Sequence, residues 1–414
     1  SVITALEGNK MARRGRAGAA LATAAIGSFI AGTIATFVLA FTAPTIADLA
    51  IQVGSADYVA LMLVAFTTVS SLLGASQIRG FIALTIGISL GLVGADLQSG
   101  LSRMTFGSDA ALEGIATVTV IVSIFALGEA LYLASRFKDS GWKVIPMKGK
   151  ALMTRDDWKR SWKPWIRGTF LGFPLGVVPA GGSEVPTFLS YSLEKKLSKH
   201  PEEFGEGAIE GVAGPEAANN AAIGGAFIPL LTLAIPSTPG MALLLGAFLS
   251  YGVNVGPLLI TQHPDIFWGV VASMYIGNIM LIVLNLPFVG LWVKILKIPY
   301  HYLVPAILIF CVIGSYSLSN SIVDVIVMIV FGFIGYLFKK LKYEAAPLIM
   351  AMVLSPLMEN NFRQSLLLSQ GDFMIFFSRP LSAILMFVAV LLLILPNLSW
   401  VRNRRAKRLE ASLE

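Results

Sequence analysis

The chain has 414 residues, of which 56% are hydrophobic and only 13% are charged. Soluble domains carry about 25% charged residues, so this chain lacks the polar residues that would cover a soluble body. The composition excludes a disordered chain, a collagen-like fibre and a disulfide-stapled secreted domain. One cysteine and three histidines do not supply a His/Cys zinc site. These exclusions leave an all-α polytopic membrane protein.

The net charge of +7 has two interpretations. A basic surface can bind nucleic acid, but the basic residues here cluster between apolar runs. Membrane proteins carry such clusters in their cytoplasmic loops. We therefore expect membrane lipids around the chain and no nucleic-acid partner.

Apolar runs of about 20 residues, long enough for a membrane helix, recur along the chain. They lie near 17–41, 57–75, 79–98, 111–136, 264–293, 300–319, 321–341 and 378–400. Two more apolar regions, 219–254 and 345–377, are interrupted, the second by polar residues between Glu359 and Arg363. Four crossings separate the basic cluster before 17 from the one after 136, so both clusters lie on the same side of the membrane. Because basic residues concentrate in cytoplasmic loops, that side is the cytoplasm. The same parity predicts a cytoplasmic C-terminus.

These runs divide the chain into six parts. They are an N-terminal helix end with a cytoplasmic loop (1–16), four spans (17–136), a basic interfacial helix (137–165), a Gly/Pro-rich element (166–254), the C-terminal spans (255–400) and a basic cytoplasmic tail (401–414). Trp158, Trp162 and Trp165 stand among Lys and Arg residues, a pattern that favours a helix lying on the cytoplasmic membrane surface. A docking site for a partner is the alternative.

The segment 166–192 is too rich in glycine and proline for a simple lipid-facing helix. Irregular backbone at membrane depth is tolerated only where protein or a water-filled cavity satisfies it. We therefore predict a re-entrant hairpin with its tip at Pro179–Ser183. Its backbone N–H groups and the Ser183 and Thr187 hydroxyls suit a carboxylate or a sodium ion. The alternative is a glycine-rich helix that packs closely against its neighbours.

The segment 219–254 reads as two half-helices that flank Pro236, Ser237, Thr238 and Pro239. The prolines predict an unwound break, where the N-terminus of the second half-helix favours anions and the freed carbonyls favour cations. A proline kink without a ligand is the alternative. Asn219 and Asn220 begin the first half-helix in this interpretation, where they could cap it or bind sodium or a carboxylate.

Several segments resemble the large membrane subunit of tripartite tricarboxylate transporters. They are PLGVVPAGG (174–182), KHPEEFGEGAIEGVAGPEAANNAA (199–222), IPSTPGMALLLGA (235–247), the N-terminal SVITALEGNKMARRGRAGAALATAAIGSF and PLMENNFRQSLLLSQGDFMIFFSRPLSAIL (356–385). The likeness covers essentially the whole chain. The sequence departs from the usual family pattern at the hairpin tip, where PAGGSE places the acidic residue Glu184 close to the tip. We expect the first-repeat hairpin and the first half of its broken helix to be missing, so that 1–16 holds the end of that helix.

The resemblance implies an inverted-repeat, elevator-type transporter with a re-entrant hairpin (166–192) and broken helices. The breaks near Ser1 and Pro236 would run in opposite directions, as inverted repeats require. The resemblance also implies import of di- or tricarboxylates across the bacterial inner membrane, coupled to Na+ or H+ without another cofactor. The implied partners are a small membrane subunit and a periplasmic solute-binding protein.

The proposed site combines the hairpin tip, the helix break and the asparagine pair. The substrate ligands would be Pro179, Gly181, Gly182, Ser183, Thr187, Asn219, Asn220, Pro236, Ser237, Thr238 and Pro239, and the cation ligands Gly181, Ser183, Asn220 and Thr238. An enzyme is disfavoured because His200, His263 and His301 lie in loop or interfacial positions, where none could activate Ser183 or Ser237. A stand-alone permease or a channel for small organic anions is the alternative function.

Overall fold

A computed structural model of the protein describes residues 2–72, 76–96, 99–108, 111–136, 152–178, 183–291, 298 and 300–394. The described residues are almost entirely helical, with one short hairpin of strands β1 (Gly94–Ala95) and β2 (Ser102–Arg103). Within the described ranges, four helices are long and apolar enough to cross a membrane: Ala17–Ala50, Thr117–Ser135, Pro264–Asn285 and Ile322–Lys340. The prediction of an all-α membrane protein is confirmed.

By their internal contacts the residues form two units. The first unit comprises Ser1–Ile51 and Ala134–Ala306. Its helices are α1 (Val2–Arg13), α2 (Ala17–Ala50), α6 (Arg155–Val177), α7 (Glu184–Leu197), α8 (Glu210–Leu233), α9 (Pro239–Ser250), α10 (Leu259–Gln262) and α11 (Pro264–Asn285).

The second unit comprises Gln52–Leu133 and Ile307–Glu414. Helices α3 (Ser55–Leu72), α4 (Gln77–Gly91), α13 (Ile322–Lys340), α14 (Ala346–Leu368), α15 (Ile375–Ser378) and α16 (Pro380–Ile394) lie in it. Helices α5 (Thr117–Ser135) and α12 (Tyr300–Ser319) have most of their residues in it, and α5 contains a π-helical turn at Ser123–Leu127.

The centre of the first unit is the contact between α6 and α8. Gly168, Gly172 and Gly176 form a stripe along α6 at four-residue spacing, on one face of the helix. A methyl group on Gly172 would lie 2.2 Å from the carbonyl oxygen of Ala218. The two backbones are therefore in direct contact, as small residues permit in membrane helices. These three glycines of the segment 166–192 therefore lie in a helix that packs closely against its neighbour, which was the alternative to a re-entrant hairpin.

Helix α6 is longer than the sequence pattern predicted. It begins at Arg155 and continues to Val177, whereas the pattern predicted an interfacial helix up to 165 and a separate hairpin from 166. Thr154 caps its start: the Thr154 hydroxyl accepts from the Asp157 N–H at 3.1 Å, and Asp157 Oδ2 accepts from the Thr154 N–H at 2.9 Å. Pro164 lies inside the helix without ending it, and packing of the glycine stripe on α8 stabilises the helical course.

Trp165 fills the space between α6 and α2. It is 1% exposed and packs with alanines of α2 and α8. A methyl group on Gly27 of α2 would lie 2.5 Å from the indole Nε1. Trp158 and Trp162 are about half exposed. The three tryptophans therefore do not share one surface, since Trp165 belongs to the core.

In the second unit, α14 packs against α3 and α4. The sequence suggested an interruption at Glu359–Arg363, but α14 runs through it from Ala346 to Leu368. Glu359 accepts a hydrogen bond from Arg103 of β2 at 2.6 Å and pairs with Arg363 one turn further on. Arg363 also reaches Asp96 at 2.8 Å. These ion pairs satisfy the polar residues within a continuous helix.

Candidate functional site

The break between α8 and α9 occupies residues 234–238. Helix α8 ends at Leu233, and Ala234 adopts a left-handed conformation with φ of 56°. Pro236 cannot donate to the preceding turn, and Pro239 occupies the first position of α9, where a proline is favoured. The Thr238 hydroxyl accepts from the Met241 N–H at 3.2 Å and caps α9. The helix break predicted from the sequence is present.

Ser237 is the unusual residue of the break. Its side chain is 3% exposed, and the buried hydroxyl has no hydrogen-bond partner within the described part of the chain. Buried polar groups are rarely left unpaired. Ser237 directly precedes the capping residue of α9. In the first turn of this helix Pro239 has no N–H and the Met241 N–H bonds to the Thr238 hydroxyl, so the Gly240 N–H is the donor that lacks a helical partner. This end of the helix can therefore bind an anionic oxygen.

The hairpin consists of α6 and α7, which are joined by the ion pair of Arg167 with Glu194. Glu194 is 1% exposed, and the guanidinium contacts both of its oxygens. Thr187 is fully buried, and its hydroxyl donates to the Glu184 carbonyl at 2.6 Å. Ser183 is half-buried at the start of α7. The predicted tip residues Pro179, Gly181 and Gly182 lie outside the described residues.

The asparagine pair lies in the middle of α8. This helix begins at Glu210, so the capping interpretation of Asn219 and Asn220 is wrong. The Asn220 Nδ2 donates to Ser28 Oγ of α2 at 2.8 Å and to the Glu216 carbonyl at 3.1 Å. Ser28 Oγ in turn donates to Glu216 Oε1 at 3.2 Å. Ser28 was not predicted as a site residue, and its hydrogen bond to Glu216 was not predicted either.

The structure spreads the predicted site along α8. From Asn220 to the end of α8 at Leu233 is about 20 Å at 1.5 Å per residue. The end of α6 contacts α8 between them, because a methyl group on Gly225 would lie 2.2 Å from the Phe173 carbonyl oxygen. The break and the asparagine pair are therefore too far apart to contact one small ligand together, and the hairpin approaches α8 between them.

An ion-pair cluster lies at the start of α8. Arg160 of α6 donates to both oxygens of Glu210 at 2.8 and 2.7 Å and also contacts Glu203. The hydrogen bond from Arg160 outweighs partial burial and holds the pKa of Glu203 below its ordinary value. Arg16 pairs with Asp157, which is 2% exposed. Because both arginines have acidic partners, this cluster stabilises the fold and offers no unpaired positive charge to an anionic substrate.

Comparison with known proteins identifies the class. Apolar, span-length helices together with a helix broken at Pro236–Pro239 define a multi-pass membrane protein. Residues 1–350 match the family described as the Tripartite tricarboxylate transporter TctA family, and the chain belongs to that family. The resemblance drawn from the motifs is confirmed.

Two relatives come from Agrobacterium vitis. The uncharacterized 52.8 kDa protein in the TAR-I ttuC' 3'region is 45% identical over 409 residues, covering 98% of this chain and 81% of the relative. The uncharacterized protein in the TAR-II ttuC' 3'region is 51% identical over 234 residues, covering 56% of this chain and 97% of the relative. No solved structure matches the chain.

Proposed function

We propose that the chain is the large membrane subunit of a secondary transporter that imports di- or tricarboxylates across the bacterial inner membrane. Membership of the TctA family makes it a subunit of a tripartite tricarboxylate transporter. The small membrane subunit and the periplasmic solute-binding protein are the expected partners. The binding protein delivers the carboxylate, and a Na+ or H+ gradient drives its uptake.

The buried hydroxyl of Ser237, which has no hydrogen-bond partner among the described residues, carries the assignment of the substrate site. It lies between Pro236 and Thr238, next to the start of α9. A carboxylate there would accept from the Ser237 hydroxyl and from the Gly240 N–H in the first turn of α9, and the helix dipole favours its charge. Carboxylates held by dipoles and hydroxyls are released more easily than carboxylates paired with a buried arginine.

The division into two units supports an elevator mechanism. The break and the hairpin helices α6 and α7 all belong to the first unit. In the proposed mechanism this unit carries the bound carboxylate across the membrane, and the second unit stays fixed. Ser183, at the start of α7, would contact the substrate from the hairpin side.

Uptake of labelled citrate into proteoliposomes tests the function. The liposomes would contain this chain and its small membrane subunit, with the binding protein added outside and with or without a sodium gradient. We expect Ser237→Ala to lower uptake at least about tenfold, the factor that corresponds to 1.4 kcal/mol. Ser250→Ala is the matched control, because this exposed serine of α9 bonds to the Gly246 carbonyl.

Unchanged uptake by the Ser237→Ala transporter would exclude the break as the substrate site. Equal uptake with and without the binding protein would favour a stand-alone permease. Uptake that does not saturate with citrate concentration would favour a channel.

A further inference from the structure

Glu216 is an acidic residue inside a helix bundle of the first unit. It lies on α8 and faces α2, where Ser28 Oγ donates to its Oε1 at 3.2 Å. Ser28 is the twelfth residue of α2, about 17 Å from the first residue at 1.5 Å per residue. Helix α2 has the length and hydropathy of a membrane span. The carboxylate is partly buried and lies against the first half of α2, about 9 Å along α8 from its start at Glu210.

Glu216 differs from the other partly or fully buried acidic residues of this unit. Those residues have charged or multiple partners: Glu210 with Arg160, Glu194 with Arg167, Asp157 with Arg16, and Glu7 with Tyr191 and three backbone N–H groups. Glu216 forms no ion pair within the described ranges. Its carboxylate there accepts a hydrogen bond from the Ser28 hydroxyl. An unpaired carboxylate in an apolar interior is costly, and ionisable groups in membrane helices mark ion or proton pathways.

The groups around Glu216 are oxygen ligands for a small cation. Ser28 contributes a hydroxyl, and Asn220 contributes an amide that donates to Ser28 at 2.8 Å. Rotation of this amide about its last bond presents Oδ1 in place of Nδ2. Asn278 of α11 lies one turn further along, because a methyl group on Gly32 of α2 would be 2.5 Å from its Oδ1.

The net charge of the groups around Glu216 favours a cation with a single positive charge. Glu216 supplies one negative charge, and the side chains of Ser28, Asn220 and Asn278 are neutral. A single positive charge leaves the site neutral, whereas a divalent cation would leave an uncompensated charge in a medium that solvates it poorly. We propose that Glu216, Ser28 and Asn220 bind a sodium ion, and, resting on the proposed transport function, that this is the coupling ion.

Sodium binding can be measured without any substrate. A ligand that binds the folded state stabilises it by mass action, so thermal unfolding of the purified chain in detergent would be followed as NaCl replaces choline chloride at constant ionic strength. We expect sodium to raise the unfolding midpoint of the wild type. Glu216→Gln should raise the apparent sodium dissociation constant at least about tenfold. Glu202→Gln, at an exposed glutamate beside His200, should leave it unchanged.

Two more variants keep the test informative if Glu216→Gln does not fold. Glu216→Asp keeps the charge and should retain sodium stabilisation with weaker affinity. Ser28→Ala removes one oxygen and should raise the dissociation constant by a smaller factor. An equal sodium response in the wild type and all three variants would overturn the proposal.

Citrate uptake separates this inference from the proposed function. If the wild type takes up citrate and Glu216→Gln keeps the same sodium dependence, the ion site is overturned and the transport function stands. If Glu216→Gln abolishes sodium stabilisation but the wild type transports no carboxylate, the ion site stands and the function fails. Uptake driven by a pH gradient alone, with no response to sodium, would overturn the choice of ion.

Discussion

The hydroxyl of Tyr191 donates a 2.6 Å hydrogen bond to Glu7, although 184 residues separate them in the sequence. The same carboxylate accepts from the backbone N–H groups of Gly205, Gly207 and Ala208. Gly205 and Gly207 have φ of +91° and +106°, values that glycine adopts without strain and that turn their N–H groups toward one point. Glu7 therefore fastens α1 to the loop before α8.

Glu7→Gln should lower the stability of the chain by about 2–3 kcal/mol. Glu7 is fully buried, and its charge strengthens each of the hydrogen bonds that it accepts. The amide of glutamine would turn a donor toward groups that are themselves donors. Tyr191→Phe removes one of these bonds and should have a smaller effect of about 1 kcal/mol. Thermal unfolding in detergent measures both changes.

Glu202→Gln is the control for Glu7→Gln, because Glu202 is largely exposed. Its substitution should change the unfolding midpoint little. Equal midpoints for the Glu7→Gln and Glu202→Gln proteins would show that the carboxylate of Glu7 does not stabilise this loop.

Gly172→Ala should destabilise the first unit by about 1–3 kcal/mol through overpacking. The added methyl group would lie 2.2 Å from the Ala218 carbonyl oxygen. Neither atom can move away by a side-chain rotation, because the methyl carbon is bonded to the backbone of α6 and the oxygen is part of the backbone of α8. The two helices must therefore separate. Gly269→Ala in α11 is the matched control, since nothing lies within 4 Å of a methyl group there. Alanine should be neutral or slightly stabilising at that position. Similar unfolding midpoints for the two variants would contradict the packing argument.

The break could be predicted from the sequence because its cause is local. Pro236 and Pro239 stand three residues apart: Pro236 cannot continue the hydrogen bonding of α8, and Pro239 suits the first position of a new helix. The start of α8 could not be predicted in the same way. The apolar run from Asn219 suggested a half-helix that begins there, yet α8 starts at Glu210 because the glycine stripe of α6 packs along this stretch. Tertiary contacts here override local preference.

The partners of Glu216 and Glu7 were not readable from the sequence. Ser28 is one small residue in an alanine-rich helix, and 188 residues separate it from Glu216. Nothing in the local pattern distinguishes it from Ser250, whose hydroxyl bonds within its own helix. Contacts of this kind depend on how helices distant in the sequence pack together, which periodicity does not specify.

Stability should fall in acid through the pair of Arg160 with Glu203. The guanidinium holds the pKa of Glu203 below its ordinary value of 4.5, so the unfolded chain binds more protons than the folded chain in this range. The stabilisation is complete above the ordinary pKa and is lost as the pH falls through the lower, folded pKa. Its size is at most about 1 kcal/mol, because Glu203 is partly exposed.

Unfolding of the wild type and of Glu203→Gln between about pH 3 and pH 7 checks this dependence. The two proteins should differ at neutral pH and converge in acid, where both carry a neutral side chain at this position. Glu202→Gln serves again as the exposed control and should parallel the wild type throughout. A difference between wild type and Glu203→Gln that grows on acidification would contradict the sign of the pKa shift.

Substitutions of Thr238 distinguish two roles of the break, which are the capping of α9 and the binding of an anion. Its hydroxyl accepts from the Met241 N–H, a bond that aspartate and asparagine also make at N-caps. Thr238→Asp should therefore keep the unfolding midpoint near that of the wild type. It should also abolish citrate uptake, because a fixed carboxylate would repel an anion at the start of α9.

Thr238→Asn supplies the comparison, since it is a cap of the same shape without the charge. It should retain both stability and most of the uptake. Thr238→Ala removes the cap and should lower stability by about 1 kcal/mol, which distinguishes a weakened helix from a blocked site. If the Asp and Asn variants transport citrate equally well, the N-terminus of α9 does not bind the substrate carboxylate, and the ligand must lie elsewhere along α8.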